Sequence, residues 1–253
     1  MPPRPAEAVA LGLIQGPAEL LPISSSAHVE LLPWVLGWEH AALDGARRKE
    51  LQVALHAGTA LALAAGRPRL RPVLLAAATL PPAVAGLLLE DVVERRLGTP
   101  AAMAFGLLVG SVALVASDRV PERREASEAG VADGLWLGIA QASALAPGVS
   151  RSGATRSLAR ARGFTRPAAK ALSAEVALPV LVGATLLKGV RLAQRRPSAG
   201  ETAALAAGAM AAAASTAVAL RLQRRASLPP AAWAAYRTAL AIAVLRIRHN
   251  RSR

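Results

Sequence analysis

Two short polar stretches, each set in apolar surroundings, carry the residues that could do chemistry. The first runs from Gln15 through Glu19 to Ser24-Ser25-Ser26 and His28. A carboxylate in an apolar segment costs about 3 kcal/mol on membrane-insertion scales, so Glu19 is a functional candidate on that ground alone. Gln15 lies four residues earlier and shares its helical face. The three serines offer hydroxyls and, where the backbone turns, closely spaced N–H donors suited to an anion. Any one of them could instead be a nucleophile, given a neighbouring base. His28 adds a group whose unperturbed pKa lies near neutrality, which suits general acid/base work.

The second stretch is Pro147-Gly148-Val149-Ser150-Arg151-Ser152-Gly153-Ala154-Thr155. The guanidinium of Arg151 is a planar fork that matches phosphate oxygens two at a time. Gly148 and Gly153 let the backbone approach a ligand closely. Ser150, Ser152, Thr155 and Ser157 add hydroxyls as the chain enters a helix whose N-terminus favours anions. The two stretches are copies of one pattern: Gly12/Gly138, Gln15/Gln141, Ala18/Ala144, Ser24/Ser150 and Ser26/Ser152 all stand 126 positions apart. They differ in charge, one bringing Glu19 and His28, the other Arg151. Together they would supply an acid/base set and a phosphate clamp.

The elements that must position these residues are membrane helices. The chain is 53% hydrophobic and only 18% charged, with a mean hydropathy of +0.37, whereas a soluble domain is about one quarter charged. Leu97–Ser117 and Thr202–Leu220 have no ionisable residue and span length, which is about 20 apolar residues. Leu51–Gly66, Pro72–Leu89, Ala171–Leu187 and Pro229–Leu245 are further candidates, each interrupted by a polar or bent position. A large soluble helical protein is disfavoured because Thr202–Leu220 has no polar face. The net charge of +14 is gathered into Arg67/Arg69/Arg71, Arg123/Arg124, Arg156/Arg160/Arg162, Arg195/Arg196, Arg224/Arg225 and the C-terminal arginines through Arg253. Such basic loops set orientation and attract anionic lipid headgroups. With aromatics at 3%, nucleic acid is not an expected partner. Cysteines are absent, so disulfides and thiolate metal sites are excluded. The N-terminus does not read as a cleaved signal peptide, since the Gln15/Glu19 pattern would be removed with it.

The expected organisation is one membrane domain over residues 1–253, in halves of about 1–125 and 126–253 joined by the charged loop Asp118–Glu128. Residues 7–23 and 131–146 are too short to span comfortably before they reach their polar turns. Short, interrupted apolar segments at matching places in two halves point to a midplane site, and both are expected to be re-entrant or broken helices. Leu80-Pro81-Pro82-Ala83 and Leu228-Pro229-Pro230-Ala231 echo each other at a different offset, as shared ancestry with insertions or by coincidence.

Gln15-x-x-x-Glu19-Leu20-Leu21-Pro22-Ile23-Ser24-Ser25-Ser26-x-His28 and the Pro147–Thr155 stretch resemble the two signature motifs of the bacterial undecaprenyl-diphosphate phosphatase family, the bacitracin-resistance type. The resemblance extends through Gln52…Gly58, Ser173…Pro179 with Gly183-Ala184, and Pro230…Tyr236-Arg237. It implies an all-α, polytopic helical bundle of the plasma (inner) membrane, with two inverted-topology repeats, two re-entrant segments and a site opening to the outer face. It implies hydrolysis of a C55 isoprenoid diphosphate to the monophosphate and inorganic phosphate, recycling the carrier for wall polymers, with a divalent cation, Mg2+ or Ca2+. Glu19 and His28 match the family's acid/base pair, Ser25 its proposed nucleophile, and Arg151 its phosphate-binding arginine, with Ser150, Ser152 and Thr155 around it. Two departures stand out: Gln15 where many members have glutamate, and Ala27 where glycine is usual. Glu175 also stands in a segment that is normally apolar.

The expected mechanism is in-line attack on the terminal phosphorus, with Arg151 and the serine-loop donors stabilising the equatorial oxygens. Glu19 and the diphosphate would hold the cation, and His28 would activate the nucleophile, either Ser25 or a water. Apolar walls would take the polyprenyl tail from the bilayer. An inverted-repeat secondary transporter or a lipid flippase would share the fold. Lipid phosphatases with a histidine nucleophile need a His-x-x-x-Asp motif that does not follow Ser150-Arg151. A homodimer is compatible with the sequence, which does not set the oligomeric state.

Overall fold

The computed structural model describes residues 4–66, 71–225 and 228–251; Arg67, Arg69 and Arg253 of the basic clusters lie outside them. Ten α-helices occur among the described residues: α1 (Pro5–Leu20), α2 (Ser25–Leu36), α3 (Gly45–Ala65), α4 (Pro72–Leu97), α5 (Pro100–Asp118), α6 (Val131–Ser143), α7 (Arg151–Ala161), α8 (Arg166–Arg195), α9 (Ala199–Arg225) and α10 (Pro230–Arg251). No strand forms among them; Arg124 and Phe164 make an isolated β-bridge.

Among the described residues, four stretches are long and apolar enough to cross a bilayer: Pro72–Leu89 in α4, Pro100–Asp118, Arg166–Arg195 and Ala199–Gln223. Leucines and valines stay exposed along them, among them Leu87, Val112, Leu186 and Val218, as expected of surfaces solvated by lipid. The protein is a multi-pass membrane protein. The apolar run read as Leu97–Ser117 starts later as a helix, because Thr99 caps α5 by accepting from the Ala102 N–H at 3.2 Å. The candidates at Leu51–Gly66 and Pro229–Leu245 lie in α3 and α10, which are long enough at 21 and 22 residues. Charge keeps both below the hydropathy of a span.

The two patterned segments are pairs of short helices broken at a polar turn. α1 and α2 have 16 and 12 residues, and α6 and α7 have 13 and 11. At about 1.5 Å per residue, each alone falls short of a bilayer core of about 30 Å.

The chain forms two compact units that interleave its halves. The first contains residues 1–20, 25–68 and 180–227. Its core joins Ala8 and Leu11 of α1, Val29 of α2, Leu51 and Leu55 of α3, and Leu205 and Ala212 of α9. Glycines bring these helices to backbone contact: a Cβ at Gly12 would meet Gly208 and Ala211, and one at Gly58 would meet Ala209. Small residues allow such approach where lipid supplies no hydrophobic drive between helices.

The second unit contains residues 21–24, 69–179 and 228–253. Its core gathers Leu74 and Ala78 of α4, Leu137 of α6, Ala159 of α7 and Leu172 and Val176 of α8 around Phe164. Gly138 of α6 lies against Ala78 and Pro81. So α1 packs on α9, while α6 packs on α4, each short helix meeting the fourth helix of the other five-helix series. The two Leu-Pro-Pro-Ala elements are placed differently, one inside α4 and one at the start of α10.

Several basic residues turn inward. Arg160 is buried, donating to Phe164 O and to Val120 O at 2.5 Å, while the exposed Arg166 pairs with Asp118 at 2.7 Å. Asp133 takes Arg124 at 2.8 Å and Arg162 at 2.6 Å. Burial would raise the Asp133 pKa, but these arginines and the Gly130 N–H outweigh it and hold it at about 2. Glu175 is half of a bidentate pair with Arg71, at 2.9 and 2.6 Å, and Arg71 also donates to Ala126 O and Ala129 O. That pair accounts for a carboxylate in an apolar helix.

Candidate active site

Each polar turn places a serine at positive φ just before a new helix. Ser24 has φ +73° and precedes α2; Ser150 has φ +72° and precedes α7. The 126-position offset is therefore a match of backbone geometry as well as of residue type. It sets Ser25 and Arg151 at the same place, the first residue of the helix beyond the turn.

In the first unit, donors converge on one buried carboxylate oxygen. Ser25 Oγ donates to Glu19 Oε2 at 2.5 Å, and Gln15 Nε2 donates to the same atom at 3.3 Å. His56 of α3 brings Nε2 to 3.4 Å from it. Gln15 is fully buried and its Oε1 has no hydrogen-bond partner among the described residues. Ser26 and His28 are half-buried on the first turn of α2; His28 stands three residues beyond Ser25 and so shares its face.

In the second unit, Ser24 is buried in a turn over residues 21–24 that is covalently continuous with α1 and α2. Ser150 caps α7, its Oγ accepting from the Gly153 N–H at 3.1 Å. Ser152 Oγ donates to Leu21 O at 2.7 Å. Thr155 Oγ1 donates to Arg151 O at 2.9 Å and lies 2.7 Å from Ser173 Oγ. These hydroxyls spend their hydrogen bonds inside the protein and fix the loop. Arg151, only partly buried, donates from Nη1 to Ser173 O at 3.1 Å. Burial, reinforced by the charge of Arg151, lowers the pKa of Arg156 to about 10, well above neutrality, so the loop carries two positive charges.

Arg237 of α10 staples both turns. Fully buried, it donates to Pro22 O (2.9 Å), Gly148 O (3.0 Å), Val149 O (2.9 Å), Leu107 O (3.2 Å) and Gly106 O (3.3 Å). Gly110 and Gly153 leave room for its guanidinium, which a Cβ at either would crowd. Gly148, at φ +90°, lies against Met103 O, where a side chain would clash.

Motif reading assigns no role to His56 or Arg237. The criterion that singles out Glu19, an ionisable group in an apolar stretch, applies to both; neither sits in a clustered motif.

Among the described residues, no three His, Asp or Glu side chains gather into a metal site. Gln15 Oε1 and the Glu19 carboxylate are oxygen donors of the kind hard cations take, and they fit such an ion where a ligand's own oxygens complete the shell.

Fold and site together define a multi-pass helical membrane protein carrying a buried acid–hydroxyl cluster and an electropositive serine–arginine loop. A family model described as "Bacitracin resistance protein BacA" matches residues 8–70 and 66–243. An undecaprenyl-diphosphatase of Geobacter sulfurreducens is 37% identical over 89% of this chain and 92% of its own length. One from Pelotomaculum thermopropionicum is 36% identical over 72% and 74%, and one from Geobacter metallireducens 33% over 90% and 93%. The chain belongs to the BacA family.

Proposed function

We propose that this protein hydrolyses undecaprenyl diphosphate to undecaprenyl phosphate and inorganic phosphate in the bacterial plasma membrane. It thereby recycles the lipid carrier of wall synthesis and confers bacitracin resistance. Family membership and the activity named for the relatives support the reaction. The observation that carries it here is the 2.5 Å hydrogen bond from Ser25 Oγ to Glu19 Oε2, a hydroxyl already seated on a base.

In this reading Ser25 Oγ attacks the terminal phosphorus and its proton passes to Glu19. The Oγ–P bond forms as the bridging P–O bond breaks, and undecaprenyl phosphate departs. Water then attacks the phosphoserine, releasing inorganic phosphate and returning a proton to Ser25. Arg151 binds the phosphoryl oxygens in pairs, and the first turn of α7 adds its dipole. Such donors matter most where charge develops, one being worth about 3 kcal/mol. His28, one turn along from Ser25, exchanges protons with the leaving phosphate or the incoming water. Ser24, Ser26, Ser150, Ser152, Gly153 and Thr155 shape the two loops. A divalent cation, Mg2+ or Ca2+, held by Glu19 and Gln15 with the diphosphate, would neutralise charge on the leaving group. The two series are related by inverted topology, and the site opens to the outer face.

The test is phosphate release from undecaprenyl diphosphate by detergent-purified protein, with and without EDTA. Release that needs Mg2+ or Ca2+ and yields the monophosphate lipid is the expected result. No release by folded protein with either cation would overturn the reading in favour of lipid or solute transport.

A further inference from the structure

His56 lies outside both signature stretches, yet its imidazole stands at ion-pair distance, 3.4 Å, from Glu19 Oε2. It is the third polar group within 3.5 Å of that oxygen, beside the two hydrogen bonds from Ser25 Oγ at 2.5 Å and Gln15 Nε2 at 3.3 Å. Its side chain is 24% exposed where that of Glu19 is 5% exposed, so the imidazole lies nearer the surface than the carboxylate it faces. The helix that carries it is held rigidly. Leu55 is fully buried, Gly58 is in backbone contact with Ala209, and Thr59 accepts from Thr216 Oγ1 at 3.3 Å. Groups held on rigid helices are placed to within the tolerance that catalysis requires. The second unit lacks this arrangement: Leu145 stands where the offset would put a carboxylate, and Gln141 donates instead to Ala78 O at 3.0 Å.

We propose that His56 is a further positioning residue of the reaction, its Nε2–H holding Glu19 so that Oε2 faces Ser25. The proposal rests on the phosphatase reading above. A carboxylate oxygen that takes two hydrogen bonds and an imidazole at ion-pair distance cannot rotate without breaking several contacts at once. With Gln15 in place of a second carboxylate, an amide donor rather than a like charge faces Glu19 one helical turn earlier. Loss of one such supporting partner lowers activity by about 10–100-fold in comparable sites. His56 contacts Glu19 rather than phosphate, so its removal acts on turnover and leaves substrate affinity alone.

The experiment compares His56→Gln with His56→Leu, side chains of similar size that differ in the N–H donor. Steady-state phosphate release is measured beside wild type and Arg151→Ala, with thermal unfolding of each variant in detergent. The expected result is a kcat about 30-fold down in His56→Leu, with KM within about twofold. His56→Gln should retain a kcat about tenfold above that of His56→Leu. Equal activities of the two variants, at any level, overturn the proposal, as does a loss carried by KM. A Leu variant that fails to fold beside an active Gln variant also overturns it, since the N–H would then support the fold. If wild type releases no phosphate, or Arg151→Ala remains active, the phosphatase reading fails instead, and the two failures are told apart within one series.

Discussion

The turn after α1 and the turn after α6 share a backbone and differ in charge. Both put a serine at positive φ, and both start a helix one residue later. At that first helical position the first copy has Ser25 and the second Arg151. Elsewhere Glu19 stands against Leu145, His28 against Ala154, and Pro22 against Gly148. The buried glutamines diverge as well, Gln15 serving the carboxylate and Gln141 the backbone of α4. The difference teaches that the frame is repeated while the chemistry is divided. One copy presents a hydroxyl on a carboxylate and the other a guanidinium, and the proposed reaction draws on both.

The largest effect should come from removing what both turns share. Arg237→Met strands five backbone carbonyls, three of them in the turns. Thermal unfolding in detergent should show a loss of about 4 kcal/mol. A loss under about 1 kcal/mol would mean that the turns hold themselves.

Acid should separate the two regions by pH. Glu7 in α1 and Asp133 in α6 are 126 positions apart, each in the first helical turn. Glu7 accepts from the N–H groups of Glu39 and His40, at 3.1 and 2.9 Å. His40 is buried, with neither ring nitrogen hydrogen-bonded among the described residues. Burial and the charge of Arg48, opposed by Glu7, lower its pKa from 6.5 to about 4. The unfolded chain therefore gains a proton first, and stability present above pH 6.5 is lost as pH falls toward about 4. Asp133 behaves as a depressed carboxylate. Its contribution is full above its ordinary value of 3.8 and is lost as pH falls toward about 2. Stability measured against pH should thus fall in two steps, of about 3 and about 2 kcal/mol. His40→Leu should remove the upper step and Asp133→Asn the lower; a single step unaffected by either variant would contradict the assignment.

The smallest effect tests the positive φ itself. Ser150→Ala keeps the strained backbone and loses the cap, at about 1 kcal/mol. Ser150→Gly loses the cap and relaxes the backbone, so it should be the more stable of the two. The reverse order would show that φ at this position carries no strain.

Much of this arrangement is legible from residue types and spacing. The offset locates both turns, Glu19 declares itself as a carboxylate in an apolar run, and the short segments imply broken helices. Other features depend on tertiary packing. Sequence order cannot say that α1 would choose α9 while α6 chose α4, because small-residue stripes are alike in any Ala-rich helix. Thr155 and Ser152 carry the right hydroxyls for phosphate, but only packing shows that they donate inward to Arg151 O and Leu21 O. Arg160 and Arg162 resemble orientation-setting loop arginines until their acceptors are seen. Ionisable groups in apolar runs outside the motifs, such as His56 and Arg237, were the readable signal left over.

The division of labour between the two turns is tested most directly by phosphate release from undecaprenyl diphosphate with Ser25→Ala and Arg151→Ala side by side, at saturating Mg2+ or Ca2+. The account predicts that each variant, folded as well as wild type, loses at least about 100-fold in kcat/KM. Either variant remaining within about threefold of wild type would contradict it.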